Sequence, residues 1–337
     1  MMIQTMGGMM EAMSAPSVRF INPPKPGKSG GPSAAVYEQM RRDFMVASPF
    51  VLHGSVPDLL AAAWSVVRET LFCGDATRGD KEIVAWAVSD ANQCPFCVGA
   101  HHAAVRASGA NDAALEEWAR STNTSNVIAL PMSENSVEFY GTAVAFHYLN
   151  RMVSVFLPDK MMPMPDLMDG MTNRMASAMM GEMIKKGQQN QPGDSATVRP
   201  DFDESLAWSP AWADSEPHIR DALRSWSGLV EGAALRHLDA KLLAHLGKSI
   251  DTWNGSTDDE MIEATVKAAS NPGAAQLALS TVVKPWQVSA EMVQQARASG
   301  LSEDGVLVLV SWAAQRAARR VGEWIAQSPL ARPALPM

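Results

Sequence analysis

The chain reads as an all-α protein. Apolar residues recur at spacings of three and four along most of its length, helix-start and helix-stop residues bracket these runs, and no segment alternates polar and apolar as a strand would. At 337 residues it is long enough for two ordinary domains, and 47% apolar residues suffice for a full core.

The first 35 residues are expected to be a flexible tail, since the Pro- and Gly-rich run from Asn22 to Ser33 has no apolar period. Residues 36–185 form the first helical unit. Pro57 sits at a first-turn position after Ser55 and opens a helix to Glu69. Asp80 to Val88 is a second helix. The segment from Cys94 is a third, stopped by Gly109. Asp112 to Arg120 and Phe139 to Leu157 complete the unit. Residues 159–183 are dense in methionine. Met164, Met168, Met171, Met175 and Met179 fall at helical spacing and read as an adaptable apolar face rather than a soft-metal ligand stripe. Residues 186–215 turn polar and are expected to be a linker. Residues 216–330 form a second helical unit, and 331–337 a tail.

The second unit echoes the first. Arg106-Ala107-Ser108-Gly109 recurs as Arg297-Ala298-Ser299-Gly300, each followed by an acidic helix start. Asn150-Arg151 resembles Arg319-Arg320, but at a different offset, so a duplication requires an insertion or deletion between the two matches. On the first register Cys94, Cys97 and His101 become Pro285, Val288 and Met292, a copy without the chemistry.

Several function classes are disfavoured. A net charge of −8 argues against general nucleic-acid or anionic-membrane partners. No apolar run reaches the roughly eighteen residues of a membrane helix. The Met-rich start lacks the basic and continuous apolar regions of a signal peptide. Three cysteines are too few for a secreted disulfide scaffold and fit a cytoplasmic protein with one redox pair. The third, Cys73, reads as a small buried hydrophobe.

That pair lies in Cys94-Pro95-Phe96-Cys97, with His101 four residues after the second thiol. On a helix beginning near Cys94, Cys97 shares a face with both Cys94 and His101. The first turn offers unpaired N–H groups and the positive end of the helix dipole, which favour a thiolate. Cys97, one turn from His101, reads as the nucleophile, and Cys94, earlier and more exposed, as the thiol that resolves a sulfenic acid. The order reverses if Cys94 is the more acidic at the helix start. Glu82 lies twelve residues before Cys94, and the short link Ala91-Asn92-Gln93 makes the two helices antiparallel neighbours. Glu82 and His101 then fall at similar heights, about 10–15 Å from the turn. Glu82 reads either as the carboxylate that orients His101 in a proton relay or as a first-turn acid favouring the dipole. His102 points about 100° away and reads as a surface or interface histidine. Two other readings are a zinc site on Cys94, Cys97, His101 and His102, which gathers all its ligands from one helix and so is unlike a structural zinc site, and a purely structural disulfide.

Glu82, Cys94-Pro95-Phe96-Cys97 and His101, in the spacing E-x11-C-x2-C-x3-H with the helix ending at Gly109, resemble the AhpD-like alkylhydroperoxidase group of the carboxymuconolactone decarboxylase superfamily. The core of the match covers residues 55–120. Gly141 to Arg151 is similar to two-domain members, and Ala274 to Ala326 to a degraded partner repeat. The resemblance implies a tandem all-α fold that forms homo-oligomers. It implies a peroxidase cycle without metal or cofactor. Cys97 attacks a hydroperoxide, Cys94 resolves, Glu82 and His101 relay the proton, and a thiol donor, protein or small molecule, reopens the disulfide. Phe96 stands where the best-studied branch has a histidine, which removes one polar group from the relay and leaves the nucleophile in place. The decarboxylase branch does not use the cysteine pair as its catalytic device, so carbon–carbon chemistry on a small organic substrate, and a non-catalytic module, are the alternatives.

Overall fold

The computed structural model describes residues 8, 10–130, 133–160, 178, 181 and 190–328; the methionine stripe at 164–179 lies outside them. Helices follow one another as α1 (Gly31–Asp43), α2 (Ser48–Val51), α3 (Pro57–Leu71), α4 (Arg78–Ala91), α5 (Pro95–Ser108), α6 (Ala113–Ser121) and α7 (Ser136–Phe156). The second half supplies α8 (Pro217–His237), α9 (Ala240–Thr252), α10 (Glu260–Ala268), α11 (Pro272–Val283), α12 (Ala290–Ala298) and α13 (Glu303–Gln327). The fold is all-α, with no strand among the described residues. None of the helices among the described residues is long and apolar enough to cross a membrane.

The tandem is visible in the packing. In the first half α4 lies against α5 and α7, and α3 against α7; in the second, α11 lies against α12 and α13, and α8 against α13. The halves then interlock through α3 on α8 and α7 on α13, around one continuous apolar core. Gly109 and Gly300, the repeated glycines, both take left-handed backbone just after α5 and α12. The two offsets also find a physical reason. α6 and the loop after it stand between α5 and α7, whereas Leu301 and Ser302 lead straight into α13, so the second half lacks that piece. It has α9 and α10 in exchange, between α8 and α11.

α3 and α7 are buried along nearly their whole lengths because each is covered on several sides. Their polar groups must therefore be paired. Arg68 donates to Asp43 at 2.7 Å, to Glu69 at 2.6 Å and to the Gln191 carbonyl at 3.0 Å. Glu69 accepts the backbone N–H groups of Gly193 (2.7 Å) and Ser195 (3.1 Å). The described part of the segment expected as a linker is thus fastened to α3. Part of the expected N-terminal tail is likewise engaged: Arg19 N–H donates to the Phe156 carbonyl at 2.7 Å and Ile21 is buried.

One turn sets the register of the site. α4 ends in a Schellman arrangement, with Cys94 N–H donating to Ser89 O (3.0 Å) and Gln93 N–H to Asp90 O (3.0 Å). The left-handed position falls on Gln93, at φ 52°, where glycine is the usual residue. Gln93→Gly is expected to raise stability by roughly 0.5–1 kcal/mol, because it releases left-handed strain faster than it adds unfolded-state entropy. Urea unfolding at unchanged slope measures it; an unchanged or lower midpoint would show that the turn is not strained.

Candidate active site

The Gln93 turn makes Cys94 the N-cap of α5, with Pro95 at the first helical position and Cys97 and His101 on the turns that follow. Asn92, inside the turn, is tied to α7. Its Nδ2 donates to Asn150 Oδ1 (3.1 Å) and His147 Nδ1 (3.1 Å), and Asn150 Nδ2 donates to Ser89 Oγ (3.0 Å). Burial, and then the Arg151 charge, push His147 far below the usual imidazole range, so it is neutral. Its Nδ1 accepts from Asn92, its Nε2–H donates to Thr122 Oγ1 (2.9 Å), and the Thr122 hydroxyl donates in turn to Ala119 O (2.7 Å). These buried polar groups hold the turn and α7 in one geometry.

α4 begins earlier than the apolar spacing indicates. Thr77 caps it, accepting from Asp80 N–H at 3.1 Å. Glu82 consequently lies in the second turn and is wholly buried, which sets aside the reading of a first-turn acid favouring the dipole. Its Oε2 lies 2.6 Å from His101 Nδ1, and its Oε1 accepts from Arg78 Nε at 2.7 Å. Burial alone would raise the Glu82 carboxyl; the Arg78 charge, then His101, outweigh it and hold the group below its ordinary value. An ionised carboxylate only accepts, so Nδ1 of His101 carries the proton and Nε2 is left for proton exchange. The His101 ring meets Phe146 edge-on at 4.6 Å between centroids.

Cys94 and Cys97 are free thiols, 1% and 2% exposed. The expectation that Cys94 is the more exposed does not hold, because the turn packs it inward toward Ser154 on α7. Burial pushes Cys94 up, but its polar neighbours, Cys97 first and then Ser154, outweigh it and the net shift is downward. Cys97 is pushed well up, first by burial and then by Cys94, with Asn150 opposing. The first thiolate of the pair therefore belongs to Cys94, and the proton stays on Cys97.

Access runs the other way. Cys97 and His101 line a pocket whose walls are mainly Phe44, Phe50, Phe72, Phe96, Phe146 and Leu149, and Cys94 is not among its lining residues. Phe96 supplies an apolar wall in this pocket. Arg78 also faces it, its guanidinium 4.4 Å from the Phe72 ring centroid. Sequence reasoning missed Arg78, although an Arg four residues before Glu82 is a visible i, i+4 pair. It missed the walls from residues 44–50 and Phe146 as well, since no local pattern announces contacts so distant in the chain.

The remaining sequence candidates lie elsewhere. His102 stacks on Trp86 at 4.9 Å, away from the His101–Glu82 pair, so the ligand set Cys94, Cys97, His101 and His102 does not converge. Among the described residues no group of three His, Cys, Asp or Glu side chains is arranged to hold a metal ion. Cys73 is buried beside Arg68 Nη1 (3.3 Å), and burial, with Glu69, pushes its thiol up to about 12.

The fold and site define an all-α tandem protein with a buried dithiol beside a carboxylate–imidazole pair. The chain belongs to the carboxymuconolactone decarboxylase family, in its AhpD-like group: residues 57–124 match the model of the carboxymuconolactone decarboxylase family. It is 30% identical to an alkyl hydroperoxide reductase of Mycobacterium tuberculosis, over 91% of this chain and 95% of that protein. No solved structure matches it.

The acidity order makes a test. With Cys97→Ser, Cys94 keeps a hydroxyl donor and should titrate below an ordinary thiol; with Cys94→Ser, Cys97 should titrate above one. Ultraviolet thiolate titration of the two variants reads this directly, and the reverse order would refute the assignment.

Proposed function

We propose that this chain is a thiol peroxidase that reduces organic hydroperoxides through a Cys94–Cys97 dithiol/disulfide cycle. The observation that carries the reading is that Cys97 and His101 open onto one apolar pocket while Glu82 engages the far nitrogen of His101. The relative named as an alkyl hydroperoxide reductase supports the same class of chemistry.

His101 Nε2, uncharged, takes the proton that burial keeps on Cys97. The Cys97 sulfur attacks the terminal peroxide oxygen, the O–O bond breaks, and the departing alkoxide takes a proton from the His101 imidazolium and leaves as the alcohol. Cys97 is now a sulfenic acid. Cys94, already the more acidic thiol and one helical turn away, attacks the Cys97 sulfur; hydroxide leaves as water, and the disulfide closes. One peroxide is reduced by two electrons and two thiols are oxidised by two. An external thiol donor restores the pair. The apolar walls favour a hydroperoxide with a hydrocarbon or aryl body, whose burial there is worth about 25 cal/mol per Å².

Cys97→Ser is expected to abolish peroxide consumption. Cys94→Ser should instead stop after one turnover with a sulfenic acid on Cys97, detected as a dimedone adduct by peptide mass spectrometry. Retained turnover in Cys97→Ser, or an adduct on Cys94 in the wild-type protein, would overturn the assigned roles.

A further inference from the structure

We propose that Arg78 is a positioning residue of this site: by neutralising Glu82 it leaves His101 uncharged and therefore able to accept the Cys97 proton. The inference rests on reading His101 as the base.

Count the charges in the cluster. Glu82 is wholly buried, and its two oxygens are divided between two partners, Arg78 Nε on Oε1 at 2.7 Å and His101 Nδ1 on Oε2 at 2.6 Å. Arg78 is almost as enclosed, its side chain 8% exposed, and its guanidinium lies on the Phe72 ring. A buried carboxylate needs one compensating cation. With Arg78 in place that need is met, and His101 can bind Glu82 as a neutral Nδ1–H donor. Without Arg78 the only partner left is His101. The Glu82–His101 pair then lowers its energy by holding one more proton, and the imidazole, as the more basic group, carries it. An imidazolium has no lone pair for Cys97.

Among the described residues no other charged side chain is paired with Glu82. On α4, Lys81 is committed to Glu138 and to the Cys73 carbonyl. On α5 the titratable neighbours are Cys94, Cys97 and His102, and the His102 ring is stacked away on Trp86. α7 contributes Phe146 to the His101 ring and Asn150 to Cys97, neither of which carries charge. Lysine at position 78 retains the cation but gives up the planar fork, so it should restore the proton count with looser geometry.

The test is nitrogen-15 NMR of the histidine side chains in the reduced full-length protein across pH 5–9, which needs no peroxide turnover. The wild type should show His101 as the Nδ1–H tautomer at pH 7. In Arg78→Met the imidazolium should persist about one pH unit or more higher, and Arg78→Lys should return it to within a fraction of that. In a Glu82→Gln background the same Arg78→Met change should lose most of its effect, since the carboxylate that demands the cation is gone. Oxidation by cumene hydroperoxide at pH 7 should slow about tenfold in Arg78→Met, with the pH–rate profile moved in parallel. An unmoved His101 titration in Arg78→Met, or a full shift surviving in the Glu82→Gln background, would overturn the proposal. A shifted titration with no peroxide oxidation in any form of the protein would leave the role of Arg78 standing and remove the peroxidase reading instead.

Discussion

The site depends on one tight turn. Three residues separate the end of α4 from the start of α5, and Gln93 accepts a left-handed backbone to make the reversal. That reversal does two things at once. It puts Cys94 at a helix start with Cys97 and His101 on successive turns, and it lays α5 back along α4 so that Glu82 meets His101. The Asn92–Asn150–His147–Thr122 network then fixes the turn to α7, which in turn packs on α13 of the second half. Through this chain of contacts the second half, which carries no dithiol, still supports the geometry of the first.

Burial makes the electrostatics decisive. Glu82, both thiols and His147 are withdrawn from water, so each is governed by its nearest partner rather than by solvent. The thiol pair divides its proton unequally: Cys94 is eased toward the thiolate by Cys97 and Ser154, and Cys97 keeps the proton. The sulfur that faces the pocket is thus the one that keeps its proton, and His101 lines the same pocket.

Much of this was legible in the chain. Spacing and punctuation were enough for α3 to α7, and Gly109 announced its own left-handed stop. The shortness of Ala91-Asn92-Gln93 was enough to bring Glu82 to the height of His101. What local pattern did not carry was anything decided by distant contacts. The Thr77 cap moved the start of α4 and with it the meaning of Glu82. The pocket walls come from residues 44–50, Phe72 and Phe146, brought together only by packing. Cys94 is enclosed because it packs toward Ser154, some sixty residues downstream on a helix whose position the sequence alone does not specify. The two registers of the internal repeat differ because α6 has no counterpart between α12 and α13.

The most direct measurement is a single turnover. The reduced wild-type protein is mixed with one equivalent of cumene hydroperoxide in a stopped-flow instrument, and the products are mapped by mass spectrometry. The expected result is a rapid phase that consumes one peroxide per protein and ends in a Cys94–Cys97 disulfide, with Cys73 untouched. Oxidation no faster than that of a simple free thiol, or products lying on Cys73, would contradict it.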